Sequence, residues 1–206
     1  MVIYLNIPYS SRKTAKEYGG LWDKKKKCWY CEDENNELCR LFDIKKEIEI
    51  KGEDRTFGSN ELYIDMIPKT SYFKNVRSIF NEAEWNLIRH HIYERTNNRC
   101  ECCGCKRGKY LEAHERWIFD YENKTQKLIR IIALCRLCHQ STHYGHSKVF
   151  KDINKINEHL KRVRGNNDEE LKNHIKDAYE IWKKRNEIEW IIDVSIIRDS
   201  GFGFEK

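Results

Sequence analysis

The sequence predicts an α+β protein in which a cysteine-tied unit with flanking helices follows a small amino-terminal α+β domain. Three observations lead there. Two Cys-x2-Cys pairs, Cys100/Cys103 and Cys135/Cys138, stand on either side of residues 104–134. Short apolar runs of strand composition recur at 62–67, 128–134 and 190–197. Elsewhere in the second half, apolar residues fall at helical spacing.

Composition narrows the class. Of 206 residues, 39% are hydrophobic, 35% charged and 12% aromatic, and nine are cysteine. That is too aromatic and too cysteine-rich for a disordered chain. No apolar run reaches the ~20 residues that span a bilayer, and residues 1–5 are too short for the apolar heart of a secretory signal. A cytoplasmic location is therefore expected, where thiols stay reduced and cysteines serve as metal ligands before disulfides. The odd cysteine count points the same way. Lys and Arg number 39 against 33 acidic residues, a net charge of +6 that is compatible with a polyanionic partner.

Residues 1–45 read as a small accessory domain. Lys24, Lys25, Lys26 and Lys27 form a basic turn between Trp22 and Trp29, and aromatics beside cations suit single-stranded nucleic acid through stacking and phosphate attraction. The same Trp22, Trp29 and Tyr30 would equally serve as the core of a very small domain, with the lysines as a solvated turn. Cys28, Cys31 and Cys39 offer three ligands and no fourth, so no zinc site is expected there. Residues 46–75 read as a connecting segment with a turn at Gly58-Ser59 and a strand over 62–67 ended by Pro68.

Residues 76–206 form the metal-tied domain. Asn81 and Glu84 have capping-box spacing ahead of a helix carrying Trp85, Ile88, Ile92 and Tyr93, which Asn97-Asn98 stops. A helix over about 150–163 ends at Gly165. Asp168 caps another, whose apolar stripe is Leu171, Ile175, Ala178 and Trp182. Residues 190–197 read as a final strand.

Each Cys-x2-Cys pair lets two thiolates reach one tetrahedral ion, and the two pairs complete a four-thiolate shell for a structural zinc. Gly104 after Cys103 suits a knuckle turn with positive φ. Cys102/Cys105 is a competing register, disfavoured because the glycine follows Cys103. Residues 128–134 read as a strand entering the second pair. A helix beginning there would carry His139 and His143 four apart, on one face.

Cys-x2-Cys-Gly, a strand ending in His114, an apolar strand, then Cys-x2-Cys-His-x3-His resembles the HNH (ββα-metal) nuclease family. The resemblance spans roughly residues 60–198. It implies two strands and a helix around an active centre, with a four-cysteine zinc outside the chemistry. Residue by residue, it implies that His114, His139 and His143 bind a catalytic divalent ion (Mn, Mg, Ni or Zn), with Glu115 at the general-base position. The family usually has histidine at that position, and Arg130 stands where many members have Asn. A second register makes His114 the base and leaves His139 and His143 as the protein ligands. Residues 1–45 resemble a short domain of unknown function that recurs in DNA-processing proteins of plasmids and phages.

The implied activity is metal-dependent endonucleolytic hydrolysis, most naturally of DNA. An RNA-cleaving toxin would use the same centre. A non-catalytic zinc module that binds nucleic acid or protein would keep the scaffold without the base. Nitrogen ligation favours Zn, Ni or Mn over Mg.

Overall fold

In the computed structural model, residues 2–24, 28–42, 49–80, 82–106 and 110–201 are described. The expected helix cap at Asn81 and the lysines Lys25, Lys26 and Lys27 lie outside them. The chain divides into two compact units, residues 1–48 and 49–206.

In the first unit, strands β1 (Ile3–Leu5), β2 (Leu21–Asp23) and β3 (Cys28–Cys31) form an antiparallel sheet in the order β1-β3-β2. Helix α1 (Arg12–Glu17) precedes β2, and α2 (Glu37–Leu41) follows β3. Asn36 caps α2 by accepting the Leu38 N–H. Strand alternation places Ile3, Leu5 and Cys31 on one face, where they meet Leu38 in a small core.

The second unit contains α3 (Val76–Ile79), α4 (Glu82–Arg95), β4 (Leu111–Asp120), β5 (Thr125–Cys135), α5 (Arg136–Thr142), α6 (Tyr144–Phe150), α7 (Ile153–Arg164), α8 (Asp168–Arg185), β6 (Ile191–Asp193) and α9 (Ser195–Arg198). β4 and β5 form a long antiparallel hairpin, and α5 begins at the residue after β5. β4 runs six residues past His114, so the strand does not end at that histidine. β5 is apolar on both faces, with Leu128, Ile131, Ile132 and Ala133 fully buried, and it forms the centre of the core. Its outer edge is blunted by side chains: Glu53 accepts the Ile131 N–H, and Glu101 accepts the Ala133 N–H.

Three expectations need correction. Residues 49–75 are part of the second unit rather than a connector, because Ile50, Leu62, Ile64 and Met66 enter its core. Residues 62–67 are extended but pair with no strand among the described residues. Their backbone groups are satisfied by helices instead: the Ile64 N–H donates to His174, the Asp65 N–H to the Thr142 carbonyl, and Trp182 and Arg164 donate to the Ile67 and Leu62 carbonyls. The final strand stops at Asp193, whose carboxylate accepts the Ser195 N–H and opens α9, so Ile196 and Ile197 are buried on a helix.

The helix expectations fare better. α7 ends on Gly165 in the left-handed conformation. Asn167, one residue before the expected Asp168, makes the capping box with Glu170, and Asp168 sits in the first turn.

Candidate metal centres

The first knuckle is a tight turn. Gly104 takes φ +69°, its N–H donates to the Cys100 carbonyl, and the Cys100 N–H donates to the Cys105 carbonyl. The second pair straddles the junction between β5 and α5, with Cys135 ending the strand and Cys138 in the first turn of the helix. The sulfurs of Cys100, Cys103, Cys135 and Cys138 all lie within 4.8 Å of one another, so this group can hold a metal ion. Tetrahedral zinc with ~2.3 Å bonds needs sulfurs about 3.8 Å apart; Cys103 and Cys135 are 3.7 Å apart.

The electrostatics fit a cation. Hydrogen bonds from the Cys135 and Cys138 thiols draw the Cys100 pKa down to about 3, while the same contacts push Cys138 far up. The Cys100 sulfur thus takes the charge and Cys138 holds its proton against it. A divalent ion would let all four ionise together. Beyond them, His159 Nε2 lies 3.1 Å from the Cys138 sulfur.

Cys102 and Cys105 do not join the shell. The Cys102 thiol faces the Glu61 carbonyl at 3.6 Å, and burial pushes its pKa up to about 12. Cys105 lies 3.3 Å from Cys103, and burial pushes its pKa up to about 12 as well. In the first unit, Cys31 and Cys39 are 3.3 Å apart, but Cys28 stands three residues from Cys31 on a strand and faces the other way.

A second group is built from β4 and α5. His114, His139 and His143 place ring nitrogens within 4.8 Å of one another. Ring centroids are 5.4 Å (His114–His139), 4.8 Å (His114–His143) and 4.6 Å (His139–His143) apart, and every pair is inclined by 74–80°. Three rings set edge to face in this way surround a common point. α5 supplies His139 in its last full turn and ends on His143, whose N–H still donates to the His139 carbonyl. The two rings are therefore neighbours although the backbone turns at His143.

Two of the three rings, His114 and His143, favour the neutral form. Burial, then the neighbouring imidazoles His143 and His139, holds His114 well below the ordinary histidine range. Burial and His139 hold His143 down to about 3. A neutral ring keeps the lone pair that an ion needs. His114 is 4% exposed and its Nδ1 has no hydrogen-bond partner. Such a buried polar atom is costly, and coordination at this nitrogen would remove the cost. His139 Nδ1 lies 2.9 Å from Glu112 Oε2, which leaves Nε2 to face the other rings.

Glu112 was not singled out from the sequence. Its place two residues before His114 on a strand puts it on the same face, and that spacing could have revealed it. His159, 21 residues past Cys138 on another helix, carries no local signal. Glu115, next to His114, falls on the opposite face. Its Oε1 accepts the Val76 N–H at 3.2 Å at the start of α3, and burial raises its pKa. It is not part of the group that the three histidines form. Arg130 is also accounted for. Together with its cross-strand partner Arg116 it binds the carbonyls of Phe57 and Ser59, and it pairs with Glu101 at 2.9 Å. Gly58 must be glycine in that loop: it takes φ +65°, and a Cβ would stand 2.6 Å from Arg116.

In the first unit, Trp29 is 7% exposed and packed, whereas Trp22 is 48% exposed and meets it edge-on at 5.4 Å. Of the two tryptophans expected to stack on bases, only Trp22 is accessible. Lys24 is exposed at the end of β2. Residues 3–38 match a family model described as a domain of unknown function, DUF5710. No match is found among curated proteins or solved structures. No helix among the described residues is long and apolar enough to cross a membrane.

Proposed function

We propose that residues 49–206 form a metal-dependent endonuclease of the HNH, ββα-metal type that hydrolyses phosphodiester bonds in DNA. The observation that carries this reading is the meeting of His114, His139 and His143 at the base of a hairpin followed directly by a helix. A divalent ion bound there would act as a Lewis acid on a phosphodiester oxygen, and three protein ligands leave a position for substrate. The nitrogen donors suit Zn, Ni or Mn better than Mg.

Glu112 orients His139 and fixes its tautomer. His114 serves as a ligand, since its ring stands inside the cluster. Glu115, at the family's base position, stands on the strand face opposite the histidines and accepts the Val76 N–H, so activation of water beside the histidines would fall to the bound ion. The amino-terminal unit, with Trp22 and Lys24 exposed, assists by engaging nucleic acid.

The test is nicking of supercoiled plasmid with Mn, Mg, Ni or Zn supplied. Cleavage is expected for the wild type and at least a hundredfold less for His114→Ala and His139→Ala. Absence of cleavage of DNA would overturn the reading, and cleavage of RNA alone would move the substrate to RNA. One observation favours a second reading, a non-catalytic zinc module: the Glu115 carboxylate is already engaged with α3.

A further inference from the structure

Beside the four-cysteine site lies a groove of about 610 Å³, lined by Cys103, Cys105 and Cys135 and by residues of α5 and α7. Arg136, Lys151, Lys155 and Arg162 line it, all exposed, against a single acid, Asp152. That acid is engaged, because its carboxylate accepts the Lys155 N–H as the cap of α7. Among the described residues, no ion pair is formed by Arg136, Lys151 or Lys155.

Part of this charge has an internal use. Arg162 lies 2.9 Å from His159 Nδ1. A guanidinium only donates, so Nδ1 accepts and Nε2 carries the proton that points at the Cys138 sulfur 3.1 Å away. A divalent ion with four thiolates carries excess negative charge, and the pair Arg162–His159 offsets it from outside. The other three cations are surplus to that need. Lys155 and Arg162 are seven residues apart on α7, about 10 Å at 1.5 Å per residue. These two charges are therefore spread along the groove and do not converge on one point.

The geometry points to this groove as a nucleic-acid backbone track, distinct from the histidine centre, along which successive phosphates of a strand are held. Cations spread along a groove with few opposing acids match a chain of phosphates. Arg136 and His139 stand three apart on α5, so the track and the histidine centre share one short helix. The inference rests on the reading of this unit as acting on nucleic acid, but it concerns binding and not cleavage.

The test is fluorescence anisotropy of the full chain, zinc-loaded, with a labelled 20-nucleotide DNA as duplex and as single strand, across a salt series. Lys151→Glu/Lys155→Glu should weaken binding at least tenfold. It should also reduce the slope of log affinity against log salt by about 2, since each phosphate contact contributes about 0.9 for a duplex. Lys151→Gln/Lys155→Gln should fall between that variant and the wild type. The control Lys176→Glu/Lys184→Glu, exposed on α8, removes as much positive charge and should change affinity less than threefold.

Equal effects of the groove and α8 variants, or wild-type protein that binds neither DNA form, would overturn the track. A wild type that binds but never cuts sinks the nuclease and leaves the track standing. A wild type that cuts, with groove variants that bind unchanged, does the reverse.

Discussion

At the scale of single residues, the two centres differ in how openly the sequence announced them. The ligands repeat at short, fixed intervals: three apart within each cysteine pair and four apart between His139 and His143, distances that one turn or one helix face converts into proximity. The groups that orient them come from elsewhere. Glu112 reaches His139 across the hairpin–helix gap, and Glu112→Ala should weaken the second ion ten- to a hundredfold, as loss of such a partner does elsewhere; competition against a chelator of known affinity measures it.

The same rings set a pH dependence. In the ion-free protein, His143 ionises only near pH 3 when folded but near 6.5 when unfolded. Below pH 6.5 the unfolded chain binds a proton that the folded chain refuses. Stability is thus full above pH 6.5 and falls as pH drops towards 3, by up to about 1.4 kcal/mol per pH unit for each such ring. Urea midpoints at pH 7.5 and 5.5 should diverge less in His143→Gln than in the wild type.

At the scale of elements, the hairpin and α5 are the frame, and side chains from 49–67 lock it. Arg130 is 2% exposed with its guanidinium shared between Glu101, Asn60 and the carbonyls of the 57–61 loop. Arg130→Ala would strand the Glu101 carboxylate and several carbonyls, a loss of about 3–5 kcal/mol, readable as a fall in the denaturant midpoint with unchanged slope.

α5 is only seven residues long, and its Thr142 carbonyl is satisfied by the Asp65 N–H. The segment 62–67 therefore holds the helix that presents His139, a role its sequence did not reveal. Apolar side chains at 62–67 and 190–197 announce burial, and burial on a strand, on an extended segment or on a helix looks alike over so short a run. The long helices were legible because three or more turns of periodicity and a capping residue leave one interpretation.

At the scale of the molecule, an ion held by the four cysteines would tie the first knuckle to the β5–α5 junction, and the histidine group hangs from that same junction. The coupling runs one way. Cys100→Ser should release both ions, because the hairpin and helix lose their clamp, whereas His139→Ala should release only the nitrogen-held one. The amino-terminal unit has its own small core and should keep its fold in either variant, which unchanged amide hydrogen exchange at Ile3, Leu5 and Cys31 would report.

Metal content per chain, measured by elemental mass spectrometry after gel filtration, tests the meeting of the three imidazoles most directly. The structure offers two groups able to hold an ion. Two ions in the wild type, one in His139→Ala and one in the wild type after mild chelation are expected. A single ion in all three samples would mean that His114, His139 and His143 hold nothing and that the hydrolytic reading fails.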